Sequence, residues 1–86
     1  MTRLSHAAAT EFIEDVMDCP VDLDQGTRIE AFILDKSCDE VRTILDRFTE
    51  ERGLTIDPDS IVLKADKLDL CDDDCCQITI MTEAQA

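Results

Sequence analysis

Basic residues are scarce in this chain. Its 86 residues hold 8 Lys and Arg against 21 Asp and Glu, a formal charge of −13. No basic patch survives that balance, which argues against direct nucleic-acid binding and against docking on an anionic membrane. Glycine occurs twice, at Gly26 and Gly53, so there is no glycine-rich loop to cradle a phosphate. Histidine occurs once, at His6, and a general base needs both a partner and a pocket. Ser5, Ser37 and Ser60 fall where helix caps and turns want them, and so short a chain has little room for a deep pocket. The expectation is a protein that is not an enzyme and carries no cofactor. No apolar run approaches the ~18 residues that span a bilayer. The first residues, Met1 to Glu11, lack the apolar centre of a signal peptide, so a cytoplasmic location is expected.

What is present is 44 % apolar residues, enough for a folded core despite the charge. The length fits one domain, 1–86. Ala9, Phe12, Ile13, Val16 and Met17 recur at helical spacing and predict a first helix over Ser5–Met17. Pro20 and Gly26 mark 18–26 as a loop. Ile29, Ala31 and Ile33 alternate along a strand over Thr27–Leu34. Ser37 to Glu40 reads as a capping box that opens a second helix ending at Arg52, with Gly53 as its C′ residue. The core face of that helix is Cys38, Val41, Ile44, Leu45 and Phe48. Residues 57–68 are ambiguous. Asp57-Pro58-Asp59 can open a helix, whereas Ser60 to Ala65 is β-branched and favours a strand. Gln77 to Thr82 is a second strand signal, so a hairpin over a turn at 69–76 follows. The last residues, 83–86, read as a loose end. The fold class is α+β in the order α-β-α-β-β. It is a short antiparallel or mixed sheet with two helices on one face, and an exposed sheet edge leaves room for a homodimer.

The charge is not an acidic tail. Residues 1–43 hold 10 acids and 4 bases, and 44–86 hold 11 acids and 4 bases. On helix two, Arg42 can reach Asp39 and Asp46, and Arg47 can reach Glu50 and Glu51. Helix one has no such balance. Glu11, Glu14, Asp15 and Asp18 form one stripe opposite its apolar face, with no cation along it. Like-charge i,i+4 pairs cost ~0.2–0.5 kcal/mol each, and an anion at Asp18 opposes the helix dipole. Stability alone would not select this arrangement. Four charges over roughly 10 Å match the spacing of phosphates on one DNA strand, ~3.4 Å apart. Asp22 and Asp24 extend the surface if they fold onto the same side, and so do Asp72, Asp73 and Asp74.

Cys71, Cys75 and Cys76 bracket the triple-Asp turn. Cys-x3-Cys-Cys is not a zinc-knuckle spacing, and neighbouring Asp residues oppose a reactive thiolate. A disulfide from Cys71 to Cys75 or Cys76 is an alternative to free thiols. Calcium fails too: setting Gly26 at position 6 of an EF-hand loop puts Val21, Leu23 and Gln25 where acids belong. No metal site is expected.

The leading expectation is an acidic interaction protein. It would bind a basic, nucleic-acid-binding protein by occupying the groove meant for phosphates. Small viral inhibitors of the anti-restriction or anti-CRISPR type work on this logic. Two alternatives stand beside it. One is a metal- or thiol-handling protein built on Cys71, Cys75 and Cys76. The other is a domain of a salt-loving organism, because Asp outnumbers Glu 14 to 7 and aromatics are few, with acidity that serves solvation only.

Overall fold

The computed structural model describes residues 2–65 and 75–83. Helix α1, His6–Glu11, continues as a π-helical turn over Phe12–Val16. Strands β1 (Leu23–Asp24) and β2 (Arg28–Ile33) follow, then helix α2, Cys38–Glu51. A 3-10 turn at Pro58–Ser60 leads into β3 (Ile61–Ala65), and β4 is Cys76–Met81. The result is a small α+β domain with a four-stranded antiparallel sheet in the spatial order β1-β2-β4-β3. The chain order is α-β-β-α-β-β. The extra strand is β1, which lies inside the segment expected as a loop. It is two residues long and pairs Leu23 with Glu30 and Asp24 with Ile29, too short to leave a periodic signal.

Alternation places the core. Ile29, Ala31 and Ile33 of β2 lie opposite Ile80, Ile78 and Cys76 of β4, and all six are fully buried. Ile61 and Leu63 of β3 continue the same face. Both helices pack on that face. Ala9, Phe12, Ile13 and Met17 come from the first, and Val41, Leu45 and Phe48 from α2. The rings of Phe12 and Phe48 meet edge to face with centroids 5.2 Å apart. Ile44 and Cys38, expected in the core, are only partly buried at its margin.

The π-turn corrects the sequence reading of helix one. The Met17 N–H donates to the Phe12 carbonyl at 2.9 Å, an i to i+5 bond. One extra residue in the turn keeps Phe12 and Met17 on the core side. It rotates Val16 outward to 40 % exposure.

Caps form largely as the sequence directs. Ser5 Oγ accepts from the Ala8 N–H at 3.1 Å, and Ser37 Oγ accepts from the Glu40 N–H at 3.2 Å. Among the described residues, the Glu40 carboxylate does not complete the expected box. Gly53 ends α2 with φ +65°, as a C′ glycine does. Of the ambiguous stretch 57–68, residues 66–68 lie outside the described ones, and 57–65 resolves both ways. Asp57 caps the 3-10 turn through the Asp59 N–H at 3.0 Å, and the β-branched run then becomes β3. Glu83 is tied down rather than loose, because its N–H donates to the Leu4 carbonyl at 2.9 Å.

Candidate partner-binding surface

The first helix carries the acidic stripe, and the structure divides it. Glu11 is ion-paired with Arg52 at the end of α2. Arg52 lies on a ring as well, with its Cζ 3.9 Å from the Phe48 centroid. A tertiary cation therefore meets a residue that the helix alone leaves unpaired. Glu14, Asp15 and Asp18 are exposed, and no cation pairs with any of them among the described residues. The ion pairs expected along α2 do not form, since neither Arg42 nor Arg47 bridges an acid among the described residues.

Asp18 closes the helix in the left-handed region, with φ +54°. The Cys19 N–H then reaches back to the Ile13 carbonyl at 3.2 Å. This is the role of a C′ residue, which glycine usually fills. An acid stands here instead, in a costly backbone conformation and at the negative end of the helix dipole.

Asp18 also stands at the rim of a groove of about 500 Å³. Met17, Pro20, Phe32 and Leu34 form its apolar lining, and Asp18, Asp22 and Asp35 bring carboxylates to it. Leu34 is 58 % exposed. Asp22 is held in place because its carboxylate accepts the Phe32 N–H at 2.9 Å. Cys19 lies in the same groove, and its thiol is pushed up by burial first, then by the charges of Asp22, Asp35 and Asp18. That environment suppresses thiolate chemistry and favours cations.

Asp24 plays a different part. It accepts the Gly26 N–H at 2.9 Å and pairs with His6 Nε2 at 2.8 Å. Both contacts hold its carboxyl below the usual range, the Gly26 bond contributing most. His6 therefore acts as a clasp between the start of α1 and β1. Glu11, Glu14, Asp15 and His6 line a second, shallower depression of about 380 Å³.

Of the nine acids named from sequence, Asp18 and Asp22 meet at the groove, and Glu11, Glu14 and Asp15 share the helix surface. Asp24 is turned to structural use. Asp72, Asp73 and Asp74 lie outside the described residues, as does Cys71. Cys75 is buried and disulfide-bonded, whereas Cys76 is buried with a free thiol, so neither is an exposed metal ligand. Among the described residues, no group of three or more His, Cys, Asp or Glu is placed to hold a metal ion. Among the described residues, no helix is long and apolar enough to cross a membrane. Asp35 and Leu34 were missed as site residues. Leu34 carries a signal, since it directly follows the buried Ile33 and alternation leaves it no place on the covered face, whereas nothing local marks Asp35.

Comparisons of the chain with protein families, with characterised proteins and with solved structures find no match.

Proposed function

We propose that this protein is a non-enzymatic interaction protein that binds a basic, nucleic-acid-binding protein and blocks its phosphate groove. The observation that carries this reading is the set of exposed, unpaired carboxylates at Glu14, Asp15 and Asp18, continuing to a groove rimmed by Asp22 and Asp35. Asp18 contributes most, because a residue chosen for stability there would be glycine. Carboxylates steer a cationic partner, and the groove gives the contact a fixed register. An Arg or Lys fits it chemically, with the apolar stem over Phe32 and Leu34 and the charged head at the Asp residues.

The test is affinity capture at near-physiological salt, with elution by a salt gradient. The expected result is one stoichiometric nucleic-acid-binding protein, displaced by its own DNA or RNA. The double variant Glu14→Lys, Asp15→Lys should abolish capture and keep the fold. Unchanged affinity in that variant would sink the proposal. Marginal folding in dilute buffer with recovery in molar KCl would favour solvation-only acidity instead.

A further inference from the structure

A second feature is independent of the acidic surface. Cys38 is the first residue of α2, and Cys76 is the first residue of β4. Both thiols are free, and the Cys38 Sγ–H donates to Cys76 Sγ at 3.0 Å. That separation is about 1 Å longer than a disulfide bond. The two sulfurs differ in access. Cys38 is partly exposed, while Cys76 is fully buried between Ile33 of β2 and Ala65 of β3. One sulfur can meet a reagent from solution, and the other can meet only its neighbour.

We propose that Cys38 and Cys76 form a reversible modification site, at which a low-molecular-weight disulfide cross-links α2 to β4. Cys38 loses its proton, and its sulfur attacks one sulfur of the reagent. The reagent S–S bond breaks, the first small thiolate leaves and takes up a proton, and Cys38 carries a mixed disulfide. Cys76 then gives up its proton and attacks Cys38 Sγ. The mixed S–S bond breaks, and the second small thiol leaves with a proton. Two protein thiols are oxidised to one disulfide by two electrons, and one small disulfide is reduced to two thiols.

The surroundings define the reagent. Asp39 and Glu40 follow Cys38 in the first turn of α2, and Arg42 stands close enough to act on Cys76 and partly offsets them, so a neutral disulfide is the reagent of choice. Burial, and then contact with Cys38, pushes the Cys76 thiol up to about 12. Cys76 is therefore a poor first nucleophile, and the order of attack is fixed. A thiol that resists ionisation also gives its reduced form no charge stabilisation, which favours the closed disulfide at equilibrium.

The experiment uses the full chain with the disulfide at Cys75 intact, kept under inert gas and then exposed to hydroxyethyl disulfide. Peptides are mapped by mass spectrometry without reduction. The expected product joins the Cys38 peptide to Cys76 and reverts on addition of dithiothreitol. Cys76→Ser should instead leave Cys38 capped by the reagent, and Cys38→Ser should leave Cys76 unmodified. Should a variant fail to fold, the wild-type map still decides. A wild-type Cys38 that stays reduced or capped, or that pairs with another cysteine while Cys76 remains free, overturns the proposal.

Discussion

Replacing Asp18 with glycine should stabilise the protein. The native φ of +54° places an L-residue in the left-handed region, at a cost of ~1–2 kcal/mol, somewhat less for Asp than for most side chains. Glycine adopts it freely but loses ~0.5–1 kcal/mol through the entropy of the unfolded chain. Removing the anion relieves its repulsion from the helix C-terminus, a further ~0.3–1 kcal/mol at an exposed site. These effects together give a net gain of about 1 kcal/mol. For a domain of this size that corresponds to a rise in Tm of ~4–8 °C. The carboxylate has no hydrogen-bond partner among the described residues, so no contact is lost in exchange. Thermal and urea unfolding of Asp18→Gly and Asp18→Asn would be compared at low and high salt. Asn keeps the tolerance for left-handed backbone and removes only the charge. Its gain should therefore be smaller and should shrink as salt rises, whereas the backbone part of the glycine gain should persist. Both variants should weaken binding of a basic partner. An Asp18→Gly protein no more stable than the wild type would refute the reasoning, because the acid would then be the stable choice.

The same structure makes four further predictions. Arg52→Ala should cost ~1–2 kcal/mol in urea unfolding, because it removes both the Glu11 pair and the stacking on Phe48. Closing the Cys38–Cys76 cross-link ties a 38-residue span and should raise stability by up to ~4 kcal/mol by loop entropy, read from urea midpoints of the oxidised and reduced forms. Raising pH above the ordinary thiol value of 9.0 should destabilise the fold progressively toward about 12, since the unfolded chain ionises Cys76 first, and Cys76→Ala should flatten that limb of a pH titration of unfolding. Acidification acts through Asp24, whose stabilising contribution is complete above its ordinary value of 3.8 and is lost as pH falls through the depressed folded value, so Asp24→Asn should weaken the acid limb of the same titration.

The sequence carried the regular parts of the fold because their signals are local. Alternation of Ile29, Ala31 and Ile33 sets the covered face of β2, and Ser37 and Gly53 bracket α2. Each of these depends on neighbours within one turn or one strand. The failures share the opposite property. The Glu11–Arg52 pair joins residues 41 apart, and a helical wheel cannot contain it. The π-turn inserts one residue into a period that any wheel assumes to be constant, so Val16 is misplaced by the arithmetic itself. Strand β1 owes its pairing to β2 rather than to its own two residues. The groove follows the same rule. Asp18 and Asp22 lie on the connection after the first helix and Asp35 lies just after β2, and only the return of β2 beside the end of that helix brings them together.

The described acids fall into two groups, and the division bears on why the chain is so acidic. Asp22, Asp24 and Asp57 accept backbone N–H bonds that fix turns or strands, and Glu30 and Glu11 pair with Arg28 and Arg52. These have structural employment wherever the protein works. Glu14, Asp15 and Asp18 have none, and neither do Asp39, Glu40, Asp46, Glu50, Glu51 and Asp59 among the described residues, but the first three lie on the surface that leads to the groove. Acidity for solvation alone accounts for the unengaged acids of α2, but it has no reason to run uncompensated charges into a partly apolar groove. It also has no reason to place one of them where the backbone resists it. A cationic partner supplies both reasons, since attraction summed over adjacent charges offsets their mutual repulsion only when something binds there. Neutralising Glu14 and Asp15 together, as Gln and Asn, should therefore raise the stability of the free protein and lower its affinity for the partner. A stability gain without loss of affinity would separate the two effects and leave the helix surface without its proposed role.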